Sequence, residues 1–124
     1  MNILEQTVQR KLTHEFIMTM PVTITLRPRN KVKTPAGGFT WQETVPRAAQ
    51  VMRLCEPSTM GGGMPRPIVT TDGIQREIEF MLLGEWDASI GVNDVFTHDG
   101  HDWEIVQVAQ SNGWEQRALV TRLG

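Results

Sequence analysis

The chain has 124 residues, a length that suits one domain with a real core and is too short for two. Its 12 Lys and Arg against 14 Asp and Glu give a formal net charge of −2, so there is no global attraction to phosphate and any contact with nucleic acid must come from local charge placement. The single cysteine, Cys55, excludes an internal disulfide, and no CxxC or Cys/His spacing offers a closed zinc site, so a reducing compartment is the simpler expectation.

The chain opens with an amphipathic pattern. Leu4, Val8, Leu12 and Phe16 recur at every fourth position with polar residues between them, which predicts a helical lead over residues 1–20. Glu5, Arg10, Lys11 and Glu15 interrupt its apolar residues, so the stretch reads as neither a signal peptide nor a membrane span, and a soluble cytoplasmic protein is expected.

From residue 21 the period changes to two. Val22, Ile24 and Leu26 alternate with Thr23, Thr25 and Arg27, predicting a first strand over residues 21–27 of a β domain that runs from 21 to 124. Residues 28–46 contain prolines and the Gly37-Gly38 pair beside Phe39 and Trp41, and read as a long exposed β-ribbon or loop. The run RAAQVMRLC then sets Ala49, Val51 and Cys55 on one face against Met52 and Leu54 on the other, a two-sided apolarity that points to cover on both faces and so to oligomerisation. Residues 56–73, with three prolines and three consecutive glycines, read as a long connecting loop.

Strand signals return in IQREIEFMLL, where Ile74, Ile78, Phe80 and Leu82 alternate with Gln75, Glu77 and Glu79 to give one buried and one wet face. Asp99-Gly100 lies between two apolar runs and supplies the positive φ angles of a tight hairpin turn. A second turn at Ser111-Asn112-Gly113 leads into the alternating WEQRALVTRL. The expected fold is all-β: a small antiparallel β-barrel of about six strands with long loops and an N-terminal amphipathic helix.

Catalytic chemistry finds little support. His98 and His101 flank Asp99 and Asp102 in HDGHD and offer metal-ligand chemistry, but residues beside a tight turn pair across it as ordinary solvent-facing partners. GGGMPRP lacks the Lys-Ser/Thr ending of a phosphate-binding loop, no G-x-S-x-G element occurs, and Cys55 reads as a core thiol. No catalytic residue, metal or cofactor is expected.

The succession of a strand, the GGFTW ribbon, the AAQVMRL strand, a Gly/Pro loop, IQREIEFML, the DVFTHDGHDWEIVQV hairpin and a final strand ending in RALVTRLG resembles the head-closure, or stopper, proteins of siphophages over residues 21–124. That resemblance implies a virion protein, assembled in the host cytoplasm, whose β-barrel subunits form a homo-oligomeric ring of six or twelve copies. The ring would sit at the neck, below the portal or adaptor ring and above the tail terminator or tail tube. It would hold packaged double-stranded DNA in its channel, with no membrane involved.

In segment order the resemblance makes Ser58, Thr59, Met60, Gly61, Gly62, Gly63, Met64, Pro65 and Arg66 a channel or gate loop, the plain alternative being a surface loop without a role. Arg27, Arg29, Lys31 and Lys33 form a basic strip that meets DNA or an acidic partner, or is merely solvated; as a belt around a ring it would make assembly salt-sensitive. Phe39 and Trp41 are candidates for docking or for core packing. Leu4, Val8, Leu12 and Phe16 either cover the barrel's own edge, the reading slightly favoured, or serve as an arm for a neighbour. Two other functions compete: a tail terminator or tail-completion ring protein, and a small metal-dependent enzyme or regulator using the HDGHD turn.

Overall fold

The computed structural model describes residues 2–56, 67–69 and 75–123. In chain order the elements are α1 (Ile3–Thr19), β1 (Val22–Ile24), β2 (Arg29–Lys33), β3 (Phe39–Glu43), β4 (Gln50–Cys55), β5 (Pro67–Val69), β6 (Gln75–Glu77), β7 (Phe80–Glu85), β8 (Val95–His98), β9 (His101–Val108) and β10 (Glu115–Arg122). Six of these strands form one antiparallel sheet in the order β1-β4-β7-β10-β9-β8. Its edges meet just after β1, where Arg27 N donates to Val95 O at 2.8 Å and Val95 N to Arg27 O at 3.1 Å. The sheet thereby curls into a nearly closed barrel, which removes most of the exposed edge that an open sheet would present.

The alternation of each strand explains the core. Ile24, Leu26, Met52, Leu82, Phe96, Trp103, Ile105, Ala118 and Val120 turn inward and pack into one buried cluster drawn from every wall of the barrel. Phe80 meets Trp103 edge to face at a centroid distance of 5.0 Å, and the Trp103 indole donates to His98 O at 3.1 Å, so the ring's polar atom is satisfied at the core boundary. The hairpin at Asp99-Gly100 forms as its sequence demands, with φ of 54° and 76° at the two turn residues and His98 opposite His101. Gly113, at φ 92°, supplies the turn into β10.

Two features differ from the sequence reading. The IQREIEFMLL run is divided: residues 75–77 pair with β5 in a separate two-stranded ribbon, and only Phe80–Glu85 joins the barrel. Hence residues 67–69, inside the segment read as a loop, carry a short strand, while Ile74 lies outside the described residues. The second concerns the outward faces of β4 and β7. Cys55 and Leu83 pack there with Met81 against Ile17 of α1, so the chain's own helix covers the Cys55 end of the outward face of β4, while Ala49 and Val51 on the same face stay exposed.

That helix docks through an unexpected face. Asn2 caps it by accepting from Glu5 N at 2.8 Å. Ile17, fully buried, and the buried Thr13 face the sheet, whereas Leu4, Val8, Leu12 and Phe16 are 74%, 50%, 53% and 40% exposed. Leu4, Val8 and Leu12 are therefore left largely open to solvent by their own barrel, correcting the favoured reading, and only Phe16 meets it, beneath Arg53 of β4. Polar ties hold the docking face instead: Arg10 Nε donates to Gly113 O at 2.9 Å and stacks on Trp86, Arg53 Nη1 donates to Phe16 O at 2.9 Å near the C-terminal end, and His14 hydrogen-bonds Glu85.

Candidate assembly surfaces

The β2–β3 ribbon stands outside the barrel sheet. Its register sets Arg29 opposite Glu43, Lys31 opposite Trp41 and Lys33 opposite Phe39, so all six side chains share one face. The turn between the strands is closed by Thr34, whose N donates to Gly38 O at 2.8 Å and whose hydroxyl accepts from Gly38 N at 3.1 Å, with Gly37 at φ 90°. Only the base of the ribbon is covered, and every residue of β2 beyond Arg29 and of β3 is exposed.

The four cations of the basic strip divide into two pairs. Arg27 Nε donates to Glu43 Oε1 at 2.9 Å and lies 3.9 Å from Asp102, while Arg29 Nη2 donates to Glu104 Oε2 at 2.8 Å and its Nε to Asn93 O at 2.9 Å. With Arg27 Nη1 also donating to the Thr97 hydroxyl of β8 at 3.3 Å, both arginines are spent on holding the ribbon to β8, β9 and the turn before β8. Lys31 and Lys33 are exposed and, among the described residues, have no carboxylate partner; Lys31 Nζ sits 5.6 Å from the Phe39 and Trp41 rings. The outer part of the ribbon is a cationic and aromatic surface, with Phe39 63% exposed and Trp41 resting against the Arg29 guanidinium at 4.4 Å.

A groove of about 520 Å³ opens where α1 crosses the barrel, lined by His14 and Met18 of α1, Gln50 and Val51 of β4, and Glu85, Asp87 and Ala88 at the end of β7. Neither lysine nor arginine lines it, and the hydrogen bond to Glu85 pushes the His14 imidazole above its ordinary pKa. Sequence reasoning missed this site because no motif marks it: its residues come from three separate segments. The buried Glu104 gave a readable signal, a lone carboxylate within the apolar run WEIV that must have a cationic partner to sit inside a sheet.

The remaining sequence-derived residues fall elsewhere. Leu4, Val8 and Leu12 are exposed along α1, whereas Phe16, 40% exposed, has the Arg53 guanidinium of β4 4.0 Å over its ring. Ser58, Thr59, Met60, Gly61, Gly62, Gly63, Met64, Pro65 and Arg66 lie outside the described residues. In the HDGHD turn, Asp102 accepts from the Thr97 hydroxyl at 2.7 Å; among the described residues no three His, Cys, Asp or Glu side chains gather as a metal site. Cys55 is buried, and burial pushes its thiol pKa up, away from a reactive thiolate. No described helix is long and apolar enough to cross a membrane.

No protein-family model matches the sequence, and no curated protein matches it. Among solved structures the chain is similar to one from the virion of a native gene transfer agent particle, with a TM-score of 0.51 and 12% identity over 82% of this chain and 94% of that one. At that identity the likeness is one of fold, and it extends over nearly all of the matched chain.

Proposed function

We propose that the chain is a structural virion subunit, without catalytic activity, that forms the stopper ring at the head-to-tail joint of a tailed particle. The observation that carries this reading is the shared fold with a virion chain over 82% of this sequence, joined to the stopper-like order of segments in residues 21–124. The surface chemistry is consistent with such work: the barrel is nearly closed, and the ribbon and helix carry exposed aromatic, cationic and apolar groups on its outside. Its partners are further copies of itself, a portal or adaptor ring above, a tail ring or tube below, and the packaged duplex in the channel.

Particles assembled without the chain test the reading. Heads that fill and then lose their DNA support a stopper. Stable full heads lacking tails overturn it in favour of a tail terminator, and normal tailed particles overturn both.

A further inference from the structure

We propose that the β2–β3 ribbon of one copy seats in the α1/β4/β7 groove of the next copy. In this contact Lys31 and Lys33 face Glu85 and Asp87 while Phe39 covers Met18 and Val51. The inference deepens the ring reading above and rests on it.

Three observations lead to it. A two-stranded ribbon is marginal in water unless something packs on it, and this one is fixed only at its base, by Arg27 and Arg29, while Phe39 stands 63% exposed. The ribbon offers two lysines without acidic partners among the described residues, and the groove offers two carboxylates against one imidazole with no lysine or arginine in its lining. Asp87, with no cation in the groove lining, and Glu85, which is shared with His14, leave the groove acidic opposite the two lysines, and Met18, Val51 and Ala88 in its lining give an aromatic ring a place to lose its water.

Geometry decides the kind of assembly. The ribbon is anchored at β8 and β9, whereas the groove lies over β4 and β7, so the contact joins unlike surfaces of identical chains. Such head-to-tail contacts close into rings when the rotation between copies permits. The acidic groove also disfavours phosphate as its occupant, which selects a protein ribbon over DNA there.

Carbodiimide treatment of wild-type particles, which couples lysine to a carboxylate in contact, is expected to link Lys31 or Lys33 of one copy to Glu85 or Asp87 of another, as read by mass spectrometry of particles mixed from two isotopic labels. Lys31→Glu with Lys33→Glu is expected to lower incorporation into particles by about tenfold or more. Adding Asp87→Lys to the same chain should restore much of it, with the melting temperature of each purified variant confirming its fold. Normal incorporation of the double glutamate variant, together with no such cross-link in wild-type particles, overturns the proposal and leaves the ring reading standing. The proposal also fails, with the ring reading intact, if the variant enters particles at full copy number but retains DNA poorly, because the ribbon then faces the duplex. Absence of the wild-type chain from particles overturns both.

Discussion

Arg29 and Glu104 form a nearly buried ion pair, 9% and 6% exposed at their side chains, that fixes the β2–β3 ribbon to the barrel wall through a 2.8 Å contact. The pair converts an otherwise loose hairpin into an element with a set direction, because Arg29 also donates to Asn93 O and supports the Trp41 ring.

Breaking that pair on one side leaves a buried charge without its counter-ion, so Glu104→Gln or Arg29→Met is expected to cost on the order of 3–5 kcal/mol. Arg29→Met combined with Glu104→Leu should recover much of the loss. Urea unfolding of the single and double variants checks the coupling, and hydrogen exchange should show that the ribbon amides lose protection first.

The helix offers a contrast between two aliphatic residues five positions apart. Ile17 is fully buried against Cys55 and Leu83, so Ile17→Ala is expected to destabilise by roughly 2–5 kcal/mol. Leu12 faces solvent, and Leu12→Ala should stay within about 0.5 kcal/mol. Equal losses in thermal unfolding would mean that the helix docks by its apolar stripe after all.

His14 should give the helix a pH-dependent hold. Its folded pKa is raised, first by the hydrogen bond to Glu85 and then by that carboxylate's charge. The added stability is therefore fully present below the ordinary histidine pKa and is lost as pH rises through the higher folded value. Urea midpoints of wild type and His14→Gln should differ most below the ordinary histidine pKa and draw together as pH rises into the alkaline range.

Cys55 should resist thiol reagents in the folded protein, because burial both blocks access and raises its pKa. Labelling by an aromatic disulfide at pH 8 is expected to be slow and to quicken sharply in Ile17→Ala, whose helix no longer seals the β4 face. Fast labelling of the wild type would contradict the packing described here.

Much of the barrel was legible in sequence because its signals are local. Asp99-Gly100 dictates a hairpin wherever it lies between apolar runs, and the inward alternation of Ile24, Leu26 and Leu82 needs only period two. The helix was visible for the same reason, but not its docking face. Periodicity finds the most apolar stripe, whereas α1 docks with one aliphatic residue and a set of polar ties whose partners, Gly113, Glu85 and Arg53, are distant in the chain.

The candidate surfaces divide in the same way. Lys31, Lys33, Phe39 and Trp41 could be named from the sequence because strand alternation places them on one ribbon face. That Arg27 and Arg29 are neutralised could not, since Glu43, Asp102 and Glu104 come together with them only through the register of the folded chain. The groove is wholly tertiary, and nothing in Met18, Val51 or Asp87 taken singly announces it.

The most direct test of the account is an image of the assembled neck at a resolution that traces this chain. The stopper reading predicts copies of the barrel arranged as a single annulus around the DNA channel, between the portal or adaptor and the first tail ring. A chain found in the capsid shell, at the far end of the tail, or in no part of the particle would contradict it.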